Sequence, residues 1–489
     1  MKNQVQLITY VDRLVEGGLP GLTALLGGPL RQLFGGVHLL PFFFPIDGAD
    51  AGFDPIDHTT VDPRLGNWED LRALGATVEV MADLIVNHVS SRSPQFQDFY
   101  QRGSDSDFSG MFLTFDRVFS KGASEADLLA LYRPRPGLPF TTANLATAEK
   151  RLLWTTFSPQ QIDIDVTDAA GRAYLTSVLS RFQAANVHAI RLDAAGYAIK
   201  KAGTSCFMIP ETFAFIAALT DQAHGLGIEV LVEIHSHHLQ QIEIARHVDW
   251  VYDFALPPLV LHALYRADAQ PLAAWLAIRP TNAITVLDTH DGIGVIDVGA
   301  DTAGRPGLLP PAAIDALVET IHQRSRGESR KATGSAANNL DLYQVNCTYF
   351  DALGRSETEY LIARAVQLFV PGVPQIYYVG LLAAANDMDL LSRSGVGRDI
   401  NRHYFTAEEV NEALQRPLVQ RLFALIRLRN THPAFAGDCL VEQNSAQAIS
   451  LTWRTAQDMA NLTVDFAQLC ATITITSDGT ERLDTIEIP

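Results

Sequence analysis

The chain is predicted to be an α/β protein built on a (β/α)8 barrel of the TIM type. Loop-rich subdomains are inserted into it, and a small antiparallel β domain follows at the C-terminal end. Three observations lead there. Apolar, β-branched runs recur along the chain with helical stretches between them, as in a parallel sheet with crossover helices. There are eight such runs, the strand number of a closed barrel. Three of them stop at a carboxylate: Asp193 in HAIRLDAAGY, Glu233 in IEVLVEIHSHH and Asp291 in ITVLDTHDGIG.

The first strand is expected near 4–9, within MKNQVQLITYVDRL. That segment has a lysine but neither the apolar stretch nor the small-residue cleavage site of a secretion signal. The next two strands fall near 36–41 and 79–87. Residues 89 to about 168 are too long for an ordinary connection and hold SRSPQF, RGSDSDFSG and YRPRPGLPFTT, rich in turn-forming residues. Strands then follow near 187–193, 227–234, 250–255 and 283–288. A second long stretch, 292 to about 356, precedes the last strand near 373–379. Long insertions at the catalytic face of a barrel shape substrate pockets. After a basic helix near 417–430 (VQRLFALIRLRN), alternating runs such as AISLTWRT and CATITITS predict the antiparallel tail. The expected division is 1–88, 169–291 and 357–435 for the barrel, 89–168 and 292–356 for the inserted subdomains, and 436–489 for the tail.

At 489 residues the chain exceeds one compact core. Its net charge of −18 disfavours nucleic acid and anionic membrane as partners, although a local arginine cluster still permits an anionic small substrate. No run reaches the length of a membrane span. Cys206, Cys347, Cys439 and Cys470 lack metal-ligand spacing and read as thiols of a reducing cytoplasm.

In a parallel barrel the carboxyl ends of the strands form one face, so acids far apart in sequence converge around one cavity. Two acids with a supporting third are what cleavage of a glycosidic bond requires. The residues point to an enzyme acting on sugars.

DLIVNH (83–88), IRLDAAGY (190–197), EIH (233–235) and LDTHD (287–291) resemble the four signature regions of the α-amylase superfamily, in the family's order. ADAGFDPIDH (49–58), YRPRPGLPF (132–140), AGTSCFM (202–208), YDFALPP (252–258), NLDLYQVN (339–346) and GRDINRHY (397–404) narrow the likeness. Together they resemble the sucrose phosphorylases, over nearly the whole chain to about residue 435.

The resemblance implies a retaining double displacement with sucrose and inorganic phosphate as substrates. Asp193 would be the nucleophile, Glu233 the acid/base and Asp291 the acid that binds sugar hydroxyls and stabilises positive charge at the anomeric carbon. Arg191, two positions before Asp193 and on the same face, would hold Asp193 ionised. His88 and His290 would hold glucose hydroxyls. Asp50, Phe53 and Arg398 would close the base of the glucose pocket, leaving room for one glucosyl unit and none for a polymer. Phe157 and Tyr197 supply apolar rings to the sugar or to the core. For phosphate the candidates are Arg135 and Tyr343, with His235 close to Glu233. Prolines 134 and 136 flank Arg135 and stiffen its loop. Asp341 and Gln344 resemble fructose-side residues, on a loop that in this family presents Asp341 or Tyr343 alternately.

No redox cofactor, nucleotide or required metal is expected. In many amylases the asparagine of VNH ligates calcium. Here Asn87 and Asp83 alone cannot fill a shell of six to eight oxygens. A homodimer is the expectation the resemblance carries. The competing readings are a phosphorylase of sucrose 6-phosphate, glucosylglycerol or glucosylglycerate, and a strict α-glucosidase. NLDLYQ favours plain sucrose, because Asp341 is a poor neighbour for a second phosphate. A non-catalytic relative would be expected to lose an acid or the arginine, yet Arg191, Asp193, Glu233 and Asp291 all survive.

Overall fold

Eight parallel strands close on themselves in the computed structural model, which describes residues 1–134, 137–301, 304–335, 344–477 and 484–488. They are β1 (Gln6–Thr9), β2 (Gly36–Leu39), β3 (Glu79–Ile85), β4 (Ala189–Asp193), β5 (Glu229–Val232), β6 (Trp250–Asp253), β7 (Ala283–Thr285) and β8 (Val373–Tyr377). Each pairs with its sequence neighbours, and β1 pairs with β8 to complete the barrel. Every strand expected from the apolar runs is present. Among the described residues no helix is long and apolar enough to cross a membrane.

One boundary departs from expectation. The seventh strand ends at Thr285 instead of 288, so Asp291 sits in the loop beyond it. Pro374, opposite Thr285, brings no N–H to the ladder. The Gln367 side chain donates to the Thr285 carbonyl instead, at 2.9 Å. The acid nearest that strand end is Asp288, which pairs with buried Arg364 at 2.7 Å.

The barrel interior is polar. Gln6, His38, Asp83, Arg191, Tyr252 and Gln375 point inward and are all buried. A buried polar group is costly unless bonded, and these bond to one another. Gln375 donates to Gln6 at 3.1 Å, the Tyr252 hydroxyl donates to Gln375 at 3.3 Å, and His38 meets Asp83 at 3.3 Å. The register places Arg191 beside Asp83. The chain of bonds thus rises from the barrel floor to the face where the acids stand.

The stretch after β3 carries a helix (Pro94–Arg102) and a hairpin (Phe140–Asn144 with Lys150–Trp154). Leu113, Phe119, Leu131 and Trp154 form a small core of its own, joined by Cys206 from the loop after β4. The stretch after β7 carries a helix (Pro311–Arg324) and a short antiparallel pair, Ile293–Gly294 with Gln344–Val345.

The helix expected near 417–430 spans Pro417–Thr431. Beyond it five antiparallel strands run in sequence order: β9 (Asp438–Ser445), β10 (Ala448–Arg454), β11 (Met459–Asp465), β12 (Cys470–Thr476) and β13 (Asp484–Ile488). Burial alternates along β11, so one face packs inward. Trp453 of β10 anchors the sheet to the barrel by donating to the Phe369 carbonyl at 2.7 Å.

Candidate active site

The carboxyl ends of the strands open into a cavity, and Asp193, Glu233 and Asp291 all line it. Arg191 is the hub. Its Nη1 lies 2.5 Å from Asp83 and 3.2 Å from Asp193, and its Nη2 lies 2.6 Å from Glu233. The guanidinium is 2% exposed, whereas Asp193 and Glu233 keep 13% and 12% on the cavity side. A rigid fork of donors is suited to fixing several carboxylates at once.

Burial pushes Asp193 well above the usual carboxylate range, and the charge of Glu233 adds to that rise. Burial likewise raises Glu233, against the pull of Arg191. Arg191, expected to hold Asp193 ionised, divides its charge among three carboxylates. The two acids titrate as a pair. A proton on Glu233 removes the charge that lifts Asp193, and leaves Asp193 as the anion beside Arg191. Against burial, Arg191 and His38 hold Asp83 down to about 2.

Asp291 faces the opposite balance. Burial would raise it, but Arg398 at 2.8 Å, with His290, Arg191 and Arg402 behind, holds it far below the usual range. Arg398 also stands 3.5 Å from Asp50. Asp50 and Ala51 adopt left-handed backbone, with φ of 49° and 53°, a conformation costing about 1–3 kcal/mol per non-glycine residue. The turn brings the Asp50 carboxylate into the cavity. Arg402, which the sequence reading missed, lies 3.7 Å from Asp50 and 3.9 Å from Asp291, and donates from Nε to the His290 carbonyl at 2.9 Å. Its one signal was its place four residues after Arg398 in GRDINRHY.

His290 stacks on Phe53 with ring centres 5.0 Å apart, and burial lowers its pKa to about 3. His88 meets the Phe53 carbonyl at 2.9 Å, and burial lowers its pKa too. Both rings are thus neutral at neutral pH. Phe157 lies edge-on to Tyr197 at 5.1 Å, and both line the cavity. Gln161, Tyr132 and Phe207 line it as well; Tyr132 and Phe207 fall within YRPRPGLPF and AGTSCFM, whereas Gln161 had no sequence signal.

His235 and Gln344 line the cavity too. Arg135, Asp341 and Tyr343 lie outside the described residues.

The calcium question has a structural answer. Asp83 is engaged by Arg191 and His38, away from any cation shell. Asn87 accepts from the Lys200 ammonium at 2.9 Å; the same ammonium pairs with Asp163 at 2.9 Å and donates to the Tyr197 carbonyl. All three of its donors are used. A lysine occupies the position a cation would need, so these residues do not fit calcium. Replacing Lys200 with methionine should cost about 3 kcal/mol, the low end for breaking a buried pair, because Thr156 still bonds Asp163 through its backbone and hydroxyl. A melting temperature lowered by several degrees is expected; an unchanged one would mean the pair contributes nothing.

Comparison with known proteins places this geometry. Residues 30–224 match the family model for the α-amylase catalytic domain. The chain is 65% identical to the sucrose phosphorylase of Agrobacterium vitis, covering 97% of each protein. It is 53% identical to the sucrose phosphorylase of Bifidobacterium adolescentis, covering 95% of this chain and 92% of that one. Among solved structures, the sucrose 6F-phosphate phosphorylase from Thermoanaerobacter thermosaccharolyticum superposes with a TM-score of 0.90 at 37% identity, covering 100% of this chain and 98% of that one.

Proposed function

The chain belongs to the sucrose phosphorylase family, and from that premise we propose that it converts sucrose and inorganic phosphate into α-glucose 1-phosphate and fructose with retention. The observation that carries this reading is the single buried guanidinium of Arg191 bonded to both Asp193 and Glu233. It sets two carboxyl groups side by side at one cavity, as a covalent, retaining displacement requires.

In the first step a carboxylate oxygen of Asp193 attacks the anomeric carbon of the glucosyl unit. The bond to the fructosyl oxygen breaks as Glu233 gives that oxygen its proton. In the second step a phosphate oxygen attacks the same carbon and the ester to Asp193 breaks. Glu233 takes up the phosphate proton and is ready again. Two inversions give net retention.

Asp291, held anionic by Arg398, stabilises the positive charge that develops at the anomeric carbon in the transition state of each step. Asp50, Arg398, His88 and His290 bind the glucose hydroxyls, and Phe53, Phe157 and Tyr197 face its apolar surfaces. We assign phosphate to Arg135 and Tyr343, and fructose to Asp341 and Gln344, on the family resemblance. The same resemblance supports a homodimer. Four unpaired cysteines are consistent with the cytoplasm.

The competing phosphorylases differ only on the acceptor side. With phosphate saturating, kcat/KM for sucrose should exceed that for sucrose 6-phosphate and for glucosylglycerol by at least about tenfold, the effect of one misplaced charge or hydroxyl. Equal or reversed preference would move the assignment to one of those substrates.

A further inference from the structure

We propose that Asp297 is a positioning residue that holds His235 as a cation beside the acceptor side of the cavity, so that the enzyme meets the incoming phosphate with a built-in positive charge. This rests on the reading that phosphate is the second substrate.

Asp297 is fully buried, in a 3-10 turn (Ile296–Val298) of the stretch after β7. Three N–H groups converge on its carboxylate: His235 Nδ1 at 3.2 Å, the Ser236 backbone at 3.1 Å and Gln241 at 3.0 Å. Two of them come from the loop that carries Glu233, so Asp297 fixes that loop as well as the ring. The imidazole also stacks on Phe254, with centres 3.9 Å apart and planes 16° from parallel, where a cation would gain from the ring face. Gly294 closes the arrangement. A Cβ there would stand 2.9 Å from the Asp297 carboxylate and 3.3 Å from His235 Nδ1. Gly294 pairs in turn with Gln344, which lines the cavity. The sequence therefore keeps a side chain away from this one bond.

Among the described residues, the charged groups that act most on His235 are acids. Glu233 comes from its own loop, Asp291 from the loop after β7 and Asp297 from the turn; Phe254, Gly294 and Gln344 bring no charge. One polar side-chain atom from each of Glu233, His235 and Asp291 lies within 4.8 Å of the other two. Arg191 and Arg398 are engaged by Glu233 and Asp291. Against burial, Asp297 first and then Glu233 and Asp291 raise the His235 pKa above its ordinary value. An anionic substrate entering among three carboxylates gains from such a charge, and a histidine oriented by a carboxylate supplies it.

The test uses the full-length enzyme and its Asp297→Asn variant. Glucose 1-phosphate and free glucose are measured from the same sucrose reaction across a range of phosphate and pH. The ratio of phosphorolysis to hydrolysis should fall about 10- to 100-fold near pH 7, the range for loss of an orienting partner, with the loss in phosphate KM. It should recover partly at lower pH, as His235 regains its proton. Gly294→Ala, which pushes the carboxylate off the ring without removing a charge, should shift the ratio the same way. NMR of the labelled His235 ring should show protonation persisting above about pH 6.5 in the parent and lost at lower pH in Asp297→Asn. An unchanged ratio in both variants, or the same ring titration in parent and variant, overturns the proposal. If the parent makes no glucose 1-phosphate, the phosphorylase reading fails on its own, and the ring titration still decides the Asp297–His235 pairing.

Discussion

Replacing Asp193 with asparagine is expected to lower sucrose turnover on the order of 10^4-fold or more, the scale on which enzymes lose activity without their nucleophile. The amide has the shape of the carboxylate but cannot form the glucosyl ester, so both steps lose their intermediate. The fold should survive. Arg191 keeps Asp83 and Glu233 as partners, so the guanidinium is not left buried without a counter-charge. Turnover near the parental rate, in protein with an unchanged melting temperature, would remove Asp193 from the mechanism. Collapse of the structure would show instead that its bond to Arg191 is essential to folding.

Replacing Glu233 with glutamine should lower sucrose turnover about 10^2- to 10^4-fold, the usual worth of a positioned proton donor. Here the size of the loss depends on the leaving group. Fructose needs a proton as it departs; fluoride does not. α-Glucosyl fluoride should therefore remain a good glucosyl donor for the variant, and phosphate, already an anion, should still accept. Equal losses on both donors would mean that Glu233 does something other than proton transfer. The pH profile gives a second check. Burial raises Glu233, so its proton is retained to higher pH than on a free glutamate. In the parent, kcat/KM should fall as pH climbs through that raised value, and the variant should lack this limb.

The barrel was legible because its strands are short apolar runs between turn-rich stretches, and all eight fall where the runs do. The acids were legible for a related reason. Asp193 ends β4, and Glu233 follows β5 by one residue, so each carboxylate inherits its direction from the strand. Asp291 was located by its surroundings in LDTHD, not by the strand, which stops at Thr285.

What could not be read is what arrives from elsewhere in the chain. Arg402 bonds a carbonyl 112 positions away, and Asp297 meets His235 across 62. Lys200 reaches Asn87 across 113. Nothing in the local pattern of DGIGVID marks Asp297 as a histidine's partner. The polar interior of the barrel was hidden as well. Gln6, His38 and Gln375 lie in runs whose apolar neighbours dominate, and their bonds exist only once the strands are in register.

Sucrose phosphorolysis is tested most directly with the purified enzyme and sucrose, with and without inorganic phosphate, followed by proton NMR. Fructose and glucose 1-phosphate are expected in equal amounts, with the sugar phosphate in the α configuration from the first turnover and formed only when phosphate is present. Free glucose and fructose at the same rate with or without phosphate would make the enzyme a hydrolase. A β product would contradict the double displacement through Asp193.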